Sequence, residues 1–132
     1  MPRKVSTSGR KIVYLLALLG TIVRKRTLHK LVYTLQERGA GFKYDFVSEG
    51  NFKFSSKLDK ELEELISLGY VKRLYVLNGK FNGLYSEAYS ITEKGVKLAE
   101  RAEFGEKSRK LIEDLVKEIK SKKKSPSTQL SP

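Results

Sequence analysis

Apolar residues at positions 12, 15, 16, 19 and 23 recur at helical spacing, and Val13, Leu18 and Ile22 widen the stripe. The pattern predicts a largely buried first helix over 10–24, with Lys25 and Arg26 making the turn that follows. Leu28, Leu31, Val32 and Leu35 form the inner face of a second helix, which Thr27 can cap and Gly39 can end. Alternating aromatics over 42–46 read as a short strand or extended segment. A third apolar face (Leu58, Leu62, Leu65, Ile66, Leu68) lies between a capping Ser55 or Ser56 and a terminating Gly69, with Asp59 in the first turn. Two strands over 70–77 and 84–91 flank the run NGKFNG at 78–83, whose Gly and Asn residues accept positive φ. Thr92 then opens a fourth helix, and Leu111, Ile112, Leu115, Val116 and Ile119 stripe a last one.

A capped helix running straight into a basic hairpin predicts an α+β, mainly α protein of winged helix-turn-helix type. The expected organisation is a flexible basic N-terminus at 1–9, the winged-helix domain at 10–104, a C-terminal amphipathic helix at 105–120 and a disordered basic Lys/Ser/Pro tail at 121–132. The apolar stripe of the last helix must be covered, either by folding back on the first helix or by a second subunit. We expect a symmetric homodimer, with Leu111, Ile112, Leu115, Val116 and Ile119 as its dimerisation residues.

Charge changes this picture from a fold to a partner. The chain carries 27 Lys and Arg against 15 Asp and Glu, a net +12. Segments 1–11 and 105–132 are the most basic per residue, and basic ends on a mildly basic body suit a polyanion. No apolar run reaches the roughly 18 residues of a membrane span, no secretory cleavage pattern follows the N-terminus, and Cys is absent. The expectation is a cytoplasmic, nucleoid-associated protein with no membrane partner.

The candidate contacts to nucleic acid fall into three groups. Arg24, Lys25, Arg26 and Lys30 crowd the junction of the first two helices. Lys53, Ser55, Ser56, Lys57 and Lys60 surround the start of the third helix, where free backbone N–H groups favour phosphate. Lys72, Arg73, Lys80 and Asn82 belong to the hairpin, as the wing. Asp59, Glu61, Glu63 and Glu64 oppose laying the third helix flat in a groove, so only its N-terminal tip is expected to approach the major groove. The lone His29 has no partners for a metal site and reads as a surface or capping residue. No phosphate-binding Gly loop or nucleophile elbow occurs, so neither a cofactor nor an enzymatic role is expected.

The phrases LHKLVYTLQ at 28–36, LEELISLGYV at 62–71 and SITEKG at 90–95 resemble archaeal winged-helix DNA-binding proteins. The first two are similar to the YwgA-type group, and the third to the end of the wing in PadR- and MarR-like regulators. The resemblance implies a winged-helix fold and DNA binding. The sequence therefore leads to the expectation of a transcriptional regulator or nucleoid-associated factor that binds double-stranded DNA mainly through phosphates. RNA or ribosome association, and a protein-interaction module using the acidic third helix, are the alternatives.

Overall fold

The computed structural model describes residues 5–50, 52–77 and 85–130. Ser6 caps helix α1 (Thr7–Leu19) by accepting from the Gly9 N–H, and Val5 is already buried. Order therefore begins inside the segment expected to be flexible. The helix also stops five residues before position 24, because Gly20 turns left-handed at φ 63° and its N–H bonds the Leu16 carbonyl. Val23 and Arg24 are not helical; they form a two-residue strand, β1.

Helix α2 (Lys25–Glu37) follows β1 without a break, so Arg24 occupies the cap position that the sequence suggested for Thr27. Beyond α2 the chain takes no regular element over 41–46, and the pairing falls later than the 42–46 aromatics suggest. Strands β2 (Val47–Glu49) and β3 (Phe52–Phe54) make a small antiparallel pair, with Val47 opposite Phe54. The 42–46 aromatics pack instead: Phe42 stacks on Tyr44, and Phe46 meets Tyr33 edge-on at 5.3 Å between ring centroids. Gln36 holds the segment by bonding both the N–H and the carbonyl of Tyr44, each at 2.9 Å.

Ser55 caps α3 (Ser56–Ser67), its hydroxyl accepting from the Leu58 N–H. Strands β4 (Val71–Leu77) and β5 (Tyr85–Ile91) pair in register from Val71 opposite Ile91 to Leu77 opposite Tyr85. Strand β1 lies on the other side of β5, giving an antiparallel sheet of order β1-β5-β4. Thr92 caps α4 (Glu93–Arg101) and also donates to the Gly69 carbonyl, binding the helix to the turn before β4. The last helix, α5 (Glu106–Leu130), runs past position 120 through the stretch expected to be a disordered tail. Lys propagates a helix well, so the Lys run at 122–124 extends α5, although Pro126 within that helix lacks a backbone N–H.

The dimerisation assignment on α5 is corrected. Ile112, Leu115 and Val116 are buried within the same chain, Leu111 and Ile119 are half-buried, and the whole stripe joins the core formed by α1, α2 and α3. Polar contacts lock this return. Lys11 and Ser108 both donate to the Ala40 carbonyl, at 2.7 and 2.8 Å, Arg38 clasps Glu118 with two bonds, and Tyr14 donates to Glu113. Burial lowers the pKa of Lys11, which sits under 10 % exposed and donates to this carbonyl.

This packing sets the cost of two substitutions. Ile112→Ala should cost about 2–5 kcal/mol in urea unfolding, with a midpoint independent of protein concentration; a midpoint that shifts with concentration would return the stripe to an intermolecular role. Gly95→Ala, ordinarily worth about 1 kcal/mol of gain in a helix, should instead destabilise by roughly 1–3 kcal/mol. A Cβ there would overlap the Tyr70 carbonyl oxygen and sit 2.7 Å from Ile91 Cγ1. Thermal unfolding of the variant checks the sign.

Candidate nucleic-acid interface

The step from β1 directly into α2 determines where the first basic cluster stands. Pairing of Val23 with Tyr89 and Arg24 with Ala88 fixes the strand against β5, and the next residues turn at once into the helix. Arg26 and Lys30, four residues apart, share one exposed face of α2. Strand β3 packs beside that helix and adds Phe52 and Lys53. The Arg26 guanidinium lies over the Phe52 ring at 5.1 Å, and the Lys53 ammonium lies 4.8 Å from the Tyr33 ring centroid while bonding Ser48.

Two grooves meet along this line. One of about 700 Å³ has Arg24, Arg26, Lys30 and Lys53 among its lining, with no acid among the described residues there. The second, of about 790 Å³, shares Arg24, Arg26, Thr27 and Phe52 with the first and reaches the hairpin at Tyr85 and Glu87. No side chain among the described residues caps the N-terminus of α2, and its first turn holds no acid. A helix start without a side-chain cap carries N–H donors and a partial positive charge; here Arg24 and Arg26 stand beside it, while the nearby Asp59 and Glu87 are paired with Lys25. Such an arrangement attracts an anion.

Other expected contact residues have different employment. Lys25 is an internal anchor, 3.2 Å from Asp59 and 3.6 Å from Glu87. Arg73 pairs closely with Glu63 and approaches Glu87 Oε2 at 3.1 Å, so its charge is consumed inside the fold. Ser55 is buried, with its hydroxyl engaged as the α3 cap. These three are corrected from ligand contacts to structural partners, with Lys25 keeping only a share of the second groove's wall. Ser56, Lys57 and Lys60 are exposed at the start of α3, and Lys72 is exposed on β4, but none lines either groove. Lys57 stands 3.5 Å from Asp45. Lys80 and Asn82 lie outside the described residues.

Residues outside the expected contact set complete the face. Phe52 gives Arg26 its aromatic support, Thr27 lines both grooves, and Tyr85, 62% exposed, lines the second. Tyr75 and Leu77 on β4 are exposed too. The alternating pattern of a strand contained a signal for Tyr75, Leu77 and Tyr85, since apolar residues near a hairpin end extend past the core that buries its base.

His29 is fully buried, which corrects its reading as a surface residue. Its ring stacks on Phe54, with 4.8 Å between centroids, and its Nδ1 accepts from the Ser55 N–H at 3.2 Å. That bond assigns the proton to Nε2, which faces Asp59 Oδ1 at 3.9 Å. Burial pulls the imidazole pKa down to about 4, against a smaller opposing pull from Asp59. Burial likewise raises the pKa of the Tyr89 hydroxyl, with Asp59 adding to the effect. Among the described residues no group of three or more His, Cys, Asp or Glu is placed to hold a metal ion, and no helix is long and apolar enough to cross a membrane.

Comparison with known proteins adds one relationship. Over 86 residues, 64% of the chain, the sequence is 31% identical to the uncharacterized protein YwgA of Bacillus subtilis (strain 168). The match covers 49% of that protein, so the chain spans about half the length of this curated relative. No family model matches the chain, and no solved structure does.

His29 makes stability depend on acid. The unfolded imidazole takes a proton near pH 6.5, whereas the folded one resists until about 4. The stabilisation is therefore complete above pH 6.5 and is lost as pH falls toward 4, amounting to roughly 3 kcal/mol. His29→Phe, which keeps a ring against Phe54, should flatten this part of the stability–pH curve; an unchanged slope in urea titrations would place the acid sensitivity elsewhere.

Proposed function

We propose that this protein is a winged helix-turn-helix factor that binds duplex DNA chiefly through its phosphates, in transcription regulation or nucleoid organisation. The fold part of the reading rests on element order and sheet order. A helix, a short strand, two helices and a hairpin occur as α1-β1-α2-α3-β4-β5, and the sheet runs β1-β5-β4, with β4–β5 in the place of the wing. The β2–β3 pair is then an elaboration between the two central helices.

The observation that carries the binding part is the uncapped start of α2, flanked by Arg24, Arg26, Lys30 and Lys53. Four cations and a helix N-terminus around one acid-poor groove supply both long-range attraction and oriented N–H donors for phosphate oxygens. The contact surface thus shifts from the tip of α3 to the start of α2 and to β3. Asp59 and Glu63 support this shift, since they neutralise Lys25 and Arg73 within the fold. The same pairing weakens the alternative in which the acidic face of α3 docks a protein.

Unpaired nucleic acid, RNA included, is a second reading favoured by one observation. Tyr75 and Tyr85 are more than 60% exposed on the hairpin, and Tyr85 adjoins the cations of the second groove, where it could stack on a base.

Binding to a labelled duplex, measured by anisotropy across a salt series, tests the proposal. The log–log slope should be steep, and Arg24→Ala and Lys30→Ala should each weaken affinity and flatten the slope by about 0.9. Lys97→Ala, on the exposed side of α4, should change neither. Affinity indifferent to salt, or a double Arg24→Ala/Lys30→Ala variant that binds as well as the parent, would refute it. Stronger binding to single strands or structured RNA in competition would favour the second reading.

A further inference from the structure

The 700 Å³ groove has more than its basic rim explains. Phosphate contact needs donors and charge on an accessible surface; it does not need an apolar recess. Yet alongside Arg24, Arg26, Lys30 and Lys53 the lining is largely apolar, from Leu19 at the end of α1, Ile22 and Val23 at β1, Leu31 on α2 and Ile119 on α5, with Phe52 of β3. Ile22 is 51% exposed and forms part of this lining. Thr21 and Thr27 are the lining residues that add hydroxyls. The volume lies within the range of small-ligand sites, about 300–1,000 Å³.

We propose that this groove binds an anionic amphiphile, a medium- or long-chain carboxylate, with the carboxylate among the rim cations and the aliphatic chain on the floor between α1, α2 and α5. The polarity of the site selects this chemistry. Its cationic rim rejects a cationic head group, and no acid lines it among the described residues to favour one. Arg24 and Lys30 form no ion pair among the described residues, so their charge is available to a carboxylate. An aliphatic floor that includes a half-exposed isoleucine gains by covering it with a hydrocarbon chain.

The same four cations are the phosphate contacts of the proposed DNA-binding mode, so a bound carboxylate would compete with DNA. This competition rests on the DNA-binding reading; occupancy of the groove does not. The pair of measurements below separates the two.

Laurate, kept below its critical micelle concentration, is titrated into the full chain by calorimetry with amide shifts followed by NMR. Dodecyltrimethylammonium serves as the opposite-charge comparator and butyrate as the short-chain one. Laurate should bind saturably at one site, with shifts centred on 19–31, and each comparator should bind at least about tenfold more weakly. Ile22→Asp changes an exposed position on the floor and should weaken laurate at least about tenfold with circular dichroism unchanged; Arg24→Ala/Lys30→Ala should do the same from the rim. Equal binding of the cationic amphiphile, undiminished laurate binding by Ile22→Asp, or binding only to anionic phospholipid vesicles would each overturn the site. In the second measurement laurate should displace labelled duplex in proportion to its occupancy. Saturable laurate binding that leaves a bound duplex in place would overturn the competition and remove DNA from these cations, whereas displacement of duplex without calorimetric binding would overturn the carboxylate site alone.

Discussion

Two residues of backbone pairing organise the exposed face of this protein. Val23 and Arg24 form the short β1 ladder with Tyr89 and Ala88, and both of those partners are fully buried. The ladder can form only if α1 has already ended, which Gly20 arranges by turning left-handed. It also puts Arg24, which makes no side-chain cap bond, at the cap position of α2, so that helix starts without a capping acceptor next to Arg24 and Arg26. Remove the ladder, and neither the grooves nor the cluster of cations above them would have their shape. A hydrogen-bonded edge of minimal length thus sets the geometry of a large surface.

The polar interior beneath that surface fixes the remaining elements. His29 joins α2 to the cap of α3 through the Ser55 N–H, and Lys25 joins α2 to both α3 and β5 through Asp59 and Glu87. Arg73 extends the chain of charges to Glu63. Alternating signs let these groups sit together while their opposite charges cancel locally. The net positive charge that remains accessible near the grooves belongs to Arg24, Arg26, Lys30 and Lys53. Burial keeps the imidazole at the centre neutral, which is why it can accept a backbone hydrogen bond instead of carrying charge.

Helix α5 completes the fold from the opposite end. Its stripe covers α1, and its polar contacts to Tyr14, Arg38 and the Ala40 carbonyl hold it along the body. Ile119 on this helix also forms one wall of the 700 Å³ groove. The helix therefore has a part both in the core and in the recess proposed to receive a hydrocarbon chain.

Much of the element order was legible in the sequence, because periodicity and capping chemistry are local. Ser55, Gly69 and Thr92 bound their helices where expected, and the strands on either side of 78–84 fall within a residue of their predicted limits. The α+β, mainly α class followed from that order. A two-residue strand has no period, so β1 was absorbed into the helical stripe before it; only pairing with β5 reveals it. An apolar stripe on α5 reads identically whether its cover is α1 or another subunit, and tertiary packing supplied the intramolecular answer. The sequence could count the basic residues but not their obligations. Lys25 and Lys30 look alike in a string, yet proximity to Asp59 and Glu87 commits half-buried Lys25 to ion pairs within the fold while Lys30 remains exposed. Local chemistry determined most helices, caps and turns; through-space distances between charges far apart in the chain decided which cations were paired within the fold and which were left exposed.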